Sequence, residues 1–178
     1  ACEPAEFARF VGLSVADTMV EIKRMFSLPE SVEALVLEHE NIFLDLLAGA
    51  PVRPLPGARE FLREARARGV PAAVVTSSAS RICRATLSSL LASLGVDVES
   101  PERFFAAMAC GDEVANRKPA PDLYLLAAKK LGVEPSECLA FEDSAAGVAA
   151  AKAAGMRCIG VPSEYVPAKE LSAADEVY

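Results

Sequence analysis

Glu142 and Asp143 stand side by side at the end of the apolar run Cys138-Leu139-Ala140-Phe141, followed by Ser144-Ala145-Ala146-Gly147-Val148. Two carboxylates with no adjacent Lys or Arg suit a hard divalent cation such as Mg2+, which takes oxygen ligands. As plain helix-start residues they would gain only about 0.3–1 kcal/mol from the helix dipole. Two further strings carry complementary chemistry. Thr76-Ser77-Ser78 follows the apolar segment Val70–Val75, and hydroxyls with backbone N–H groups at such a turn bind phosphate oxygens without added charge. The structural alternative there is that Ser78 or Ser80 caps the next helix. Asn116-Arg117-Lys118-Pro119-Ala120-Pro121-Asp122 places Lys118 before a proline-started helix, where it can neutralise a bound phosphate, whereas Arg117 reads as a solvated loop residue.

The elements that must position these residues follow a helix–strand rhythm. Ala58–Arg68, Ser80–Leu94, Ala120–Leu131 and Ala145–Ala154 have helical patterning, each stopped by a glycine (Gly69, Gly95, Gly132 and Gly155). Val70–Val75, Phe104–Ala109, Cys138–Phe141 and Met156–Val161 read as buried strands, with Asp175–Tyr178 as a short edge strand. This alternation predicts an α/β fold with a parallel, Rossmann-like sheet. Thr76, Lys118 and Glu142-Asp143 then fall at or just beyond the carboxyl ends of successive strands, which one sheet edge would bring together. A hydroxyl turn, a cation and a carboxylate pair at one edge describe a phosphoryl-transfer site.

Before about residue 50 the pattern is helical only. Phe7, Phe10 and Val11, then Val15, Met19, Ile22 and Phe26, then Leu35, Val36, His39, Ile42, Phe43, Leu46 and Leu47 recur at three- and four-residue steps. Ser14 and Asp17 form a start resembling a capping box. Pro51-Val52-Arg53-Pro54-Leu55-Pro56-Gly57 cannot continue a helix, so we divide the chain into a small all-helical unit, residues 1–50, and an α/β unit, residues 51–178.

Composition narrows the partners. With 178 residues, 52% hydrophobic and 24% charged, the chain has the make-up of a soluble globular protein. A net charge of -7 argues against nucleic acid, and no apolar run is long enough to span a bilayer. Cys2, Cys83, Cys110, Cys138 and Cys158 are scattered and odd in number, which predicts reduced thiols and a cytoplasmic setting. His39 is the sole histidine, read as one face of a helix, so acid–base work falls to carboxylates or Lys.

The strings VVTSS, NRKPAPDLYLLAAKKLGV and CLAFEDSAAGVAAAKAAGM resemble the second, third and fourth motifs of the haloacid dehalogenase superfamily, and most closely its β-phosphoglucomutase-like phosphatases. Phe10-Val11-Gly12-Leu13-Ser14 resembles the specificity loop of that subfamily's helical cap, so the likeness covers nearly the whole chain. It implies that Thr76 binds the transferring phosphoryl group with Ser77 alongside, and that Lys118 contacts phosphate and nucleophile. It also implies that Asp143 is the principal Mg2+ ligand, with Glu142 as second ligand or its orienter. The cap loop positions are Val11, Gly12, Ser14 and Val15. Relatives that are mutases carry Lys and Arg where this chain has Val11 and Val15, so the resemblance favours a phosphatase over a phosphomutase.

The family's first motif, D-x-D-G-[TV], which supplies the nucleophile and the general acid/base, does not occur in these residues, and Asp17 and Asp45 fall in helices. In the family fold its strand lies mid-sheet, between the strands ending at Thr76 and Glu142. Its loss would leave backbone groups unpaired. We therefore expect that the chain is a fragment needing an N-terminal segment to complete its core, and that it is inactive alone. The completed protein is expected to hydrolyse a small phosphorylated metabolite of sugar-phosphate type through an aspartyl-phosphate. A non-catalytic phospho-ligand binding module is the rival reading, and a phosphomutase the third.

Overall fold

The computed structural model describes residues 10, 13–50, 52–96 and 99–178. The first helical stretch expected from Phe7 and Val11, and Cys2, lie outside them. Helix α1 (Val15–Phe26) begins as its sequence predicts: the Asp17 amide donates to the Ser14 hydroxyl at 3.1 Å, satisfying one of the free N–H groups of the first turn. Ser31 caps α2 (Val32–Gly49) in the same way, through the Ala34 amide. The two helices pack on each other, and α2 packs against α4 (Ser80–Ser93).

After α3 (Ala58–Ala67), the α/β rhythm is realised. Strand β1 (Ala73–Val75) pairs in parallel with β2 (Ala107–Ala109), Ala73 opposite Ala107 and Val75 opposite Ala109. Strand β3 (Leu139–Glu142) pairs in parallel with β4 (Arg157–Gly160), and β5 (Glu176–Val177) extends that piece. Helix α5 (Asp122–Leu131) lies between β2 and β3 in sequence, and α6 (Ala145–Ala153) between β3 and β4. The parallel sheet is thus in two pieces, and among the described residues β1 and β3 form no ladder with each other.

The observed strands are shorter than their apolar runs. Pro71 has no N–H to give a ladder and Val70 is exposed, so β1 starts only at Ala73. Pro101–Arg103 forms a 3-10 turn that Phe104 closes, which delays β2 to Ala107.

Helix α5 joins the two sheet pieces because its apolar residues face both. Leu123 and Ala127 pack with Ala109 of β2. Tyr124 and Ala128 pack with Ala140 of β3, Val148 and Ala151 of α6, and Cys158 of β4. A second apolar cluster, including Cys83, Leu87, Leu91, Phe105 and Cys110, fills the space beneath α4. The four described cysteines, Cys83, Cys110, Cys138 and Cys158, are free thiols. None of the described helices is long and apolar enough to cross a membrane.

Leu123 is fully buried at this junction. Leu123→Ala is expected to destabilise the chain by about 2–5 kcal/mol, the range for a buried leucine that leaves a cavity. Urea denaturation of the two proteins measures it.

Candidate active site

The carboxyl ends of β1 and β3 place the three sequence strings at one edge. Thr76 continues β1, its amide bonded to the Ala109 carbonyl, and its hydroxyl accepts the Ser78 amide at 3.1 Å. This folds Thr76-Ser77-Ser78 into a tight turn. Gly111, just past β2, lies against it so closely that a Cβ there would sit 2.1 Å from the Ser77 carbonyl oxygen. Neither Ser78 nor Ser80 caps the following helix with its hydroxyl. Asp112 does the capping instead: its carboxylate accepts both the Ser80 amide (2.9 Å) and the Ser80 hydroxyl (2.8 Å). The turn hydroxyls are therefore not consumed by capping α4.

Lys118 reaches from its loop to the same edge. Its ammonium forms an ion pair with the Glu142 carboxylate and lies 3.5 Å from the Val75 carbonyl at the end of β1. The side chains of Lys118 and Glu142 are only 8% and 5% exposed. The Tyr124 hydroxyl donates to the same oxygen of Glu142 that receives Lys118, and the Ser144 hydroxyl donates to the other at 3.1 Å. Burial, then the neighbouring Glu142 charge and the hydrogen bond to it, push the Tyr124 phenol far above its ordinary range, which keeps it a donor. Burial and the same carboxylate raise the Cys158 thiol to about 11, so it stays protonated beneath the site.

Ser144 serves twice, because its hydroxyl also accepts the Gly147 amide and so caps α6. Gly147 itself is required there: a Cβ would lie 1.8 Å from a Glu142 oxygen. Glu142 thus has both oxygens engaged by protein donors. Asp143 is exposed, with no side-chain partner among the described residues. No group of three His, Cys, Asp or Glu side chains able to hold a metal occurs among them either.

A cleft of about 330 Å3 opens between the α1–α2 pair and this edge. Val15, Val36, His39, Glu40 and Phe43 line one side, and Ser77, Ser78, Ile82, Gly111, Asp112 and Arg117 the other. Arg117 is not the solvated residue expected from sequence. It is partly buried, and its guanidinium donates to the Ser14 hydroxyl at 2.7 Å, across 103 positions of chain. Its sequence neighbourhood held no sign of this, since the partner lies in a different unit. His39, read as one face of a helix, lies on the cleft side of α2. Of the expected cap-loop residues, Ser14 is buried at the α1 N-terminus and Val15 lines the cleft; Val11 and Gly12 lie outside the described residues. Tyr124 was missed by sequence reasoning; the one usable signal is a tyrosine on the apolar face of a helix, whose hydroxyl needs a partner once buried.

A hydroxyl turn, a buried lysine and an acidic strand end thus meet at one edge of an α/β fold, and Ser77 and Ser78 of the turn also line the cleft. Residues 4–155 match the haloacid dehalogenase-like hydrolase family, and the chain belongs to it. It is 41% identical to protein CbbY of Rhodobacter capsulatus over 133 residues, 75% of this chain and 56% of that protein. The chain spans about half the length of the curated relatives it matches. Its fold is similar to that of Rhodobacter sphaeroides CbbY in complex with xylulose-(1,5)bisphosphate, with a TM-score of 0.84 and 28% identity, covering 99% of this chain and 77% of that one. It is also similar to a β-phosphoglucomutase from Clostridium difficile, with a TM-score of 0.76 and 25% identity, covering 96% and 73%. The superfamily and the α/β core with a helical cap are thus those the motifs imply.

The pairing of Lys118 with Glu142 has an energetic consequence. Removing one partner of a buried ion pair strands the other charge, at a cost of about 3–5 kcal/mol, whereas neutralising both costs less. Lys118→Met is expected to lower unfolding free energy by about that amount, and Lys118→Met combined with Glu142→Gln by clearly less. A double-mutant cycle by chemical denaturation reads the difference.

Proposed function

We propose that this site belongs to a Mg2+-dependent phosphatase acting on a small phosphorylated metabolite of sugar-phosphate type. The observation that carries the reading is the convergence of the Thr76-Ser77-Ser78 turn, the Lys118 ammonium and the Glu142-Asp143 strand end at one edge. Thr76 and Ser77 would hold the transferring phosphoryl oxygens, with Lys118 neutralising their charge. Glu142 acts as the group that fixes Lys118, since both its oxygens already accept hydrogen bonds.

Asp143 is the residue that would hold Mg2+, and its exposed carboxylate, without a hydrogen-bond or ion-pair partner among the described residues, fits an ion that binds through one or two carboxylates plus waters and phosphate. When bound, that ion supplies positive charge to the phosphoryl oxygens. The nucleophile, in this reading, is an aspartate of a D-x-D-G strand that does not occur among these 178 residues. The lack of a ladder between β1 and β3, with Lys118 spanning the ends of both, is compatible with such a strand between them. The helical cap would close over the reacting groups and exclude water.

An aryl phosphate assay tests this. The 178-residue chain is expected to show no EDTA-sensitive turnover, and a version extended by a D-x-D-G-bearing strand is expected to show it. Turnover by the unextended chain would remove the need for an added nucleophile. In the extended protein, Asp143→Asn is expected to abolish turnover with folding intact; near-full activity would sink the metal assignment. Phosphate binding without turnover in the extended protein would favour the binding-module reading.

A further inference from the structure

Besides the Ser77-Ser78 turn, the two sides of the cleft carry donors and acceptors that the described residues leave open. Arg117 has five N–H donors, and only one makes a side-chain hydrogen bond among the described residues, the one to Ser14. That bond is built rather than incidental. The Ser14 hydroxyl is buried, donates to the Asp17 carboxylate at 2.5 Å and accepts from the Asp17 amide and Arg117, so its capacity is filled. The guanidinium is thereby held in place at a residue that lines the cleft, with its remaining N–H groups making no side-chain hydrogen bond among the described residues.

Opposite it, Glu40 of α2 has a side chain only 16% exposed. Its nearest cation is Arg81 at 3.9 Å, and its carboxylate accepts no hydrogen bond among the described residues. His39, beside it, is likewise unengaged.

A hydroxyl both donates and accepts, whereas a phosphate dianion only accepts. A cleft with an arginine on one side and an open carboxylate on the other offers a hydroxyl both a donor and an acceptor, and a second phosphate would meet Glu40 and Asp112 as like charges. We propose that Arg117 and Glu40 bind hydroxyl groups at the non-transferring end of the ligand, so that the cleft selects a polyhydroxylated monophosphate over a bisphosphate. The assignment rests on the phosphate-site reading above. Arg117 is then a specificity-determining residue, and Ser14 positions it.

Isothermal titration of the full chain in Mg2+ with orthophosphate, fructose 1-phosphate and fructose 1,6-bisphosphate tests the proposal. Fructose 1-phosphate is expected to bind at least tenfold more tightly than either of the others. Arg117→Met should cut its advantage over orthophosphate at least fivefold while leaving orthophosphate affinity within twofold, and Arg117→Lys should recover part of it. Glu40→Gln, which keeps the side-chain shape, should narrow the gap between monophosphate and bisphosphate at least fivefold. Ratios unchanged within twofold in both variants, or a wild type that prefers the bisphosphate, overturn the assignment while the phosphate site stands. A wild type that binds neither orthophosphate nor fructose 1-phosphate overturns the phosphate-site reading and this inference with it.

Discussion

The buried carboxylate of Glu142 is the constraint around which the rest of the structure is arranged. An ionised carboxylate out of water is costly unless charge and hydrogen bonds compensate it. The compensation comes from three separate elements: Lys118 from the loop before α5, Tyr124 from α5, and Ser144 from the start of α6. Holding one carboxylate therefore fixes the end of β3 relative to two helices and a loop. Lys118 extends the reach to the Val75 carbonyl, which ties in the end of β1. Gly147 completes the arrangement by leaving room for the carboxylate where any side chain would strike it.

The two adjacent basic residues divide the work of connecting the site to what surrounds it. Lys118 turns inward to Glu142, while Arg117 crosses to Ser14 at the first turn of α1. One short loop thus bears on both the sheet edge and the helical pair that covers it. Because Ser14 also caps α1 through Asp17, the contact that holds the arginine is the same one that starts the helix. A change at either residue is felt at both the cleft and the cap.

Much of this was legible in the chain. The 3.6-residue apolar spacing and Ser14 and Ser31 caps locate α1 and α2, and the apolar runs between glycine stops locate the strands to within a few residues. The strand starts were misjudged where proline or a 3-10 turn displaced the ladder, because apolar character alone does not register a missing donor. Thr76, Lys118 and Glu142 were legible as a group because sheet topology forces successive strand ends to one edge. Arg117, Tyr124 and Asp112 were not. Each acts on a partner distant in sequence or on another element, and no local pattern marks a tyrosine that will meet a buried carboxylate or an aspartate that will cap a helix 32 residues away.

What the sequence determined by itself was the inventory and its order: the α/β class, the family, and which side chains stand at the ends of which strands. These follow from local rules, periodicity, capping and turn chemistry, that act over a few residues. Only the tertiary structure decided what each group does once there. It made Glu142 a buried anchor with both oxygens engaged and left Asp143 exposed with no hydrogen-bond or ion-pair partner among the described residues, though the two are adjacent carboxylates in the chain. The reason is that the alternation along β3 turns its last residue, Glu142, to the face that α5 and α6 bury, while Asp143 follows just past the strand end, where it is exposed.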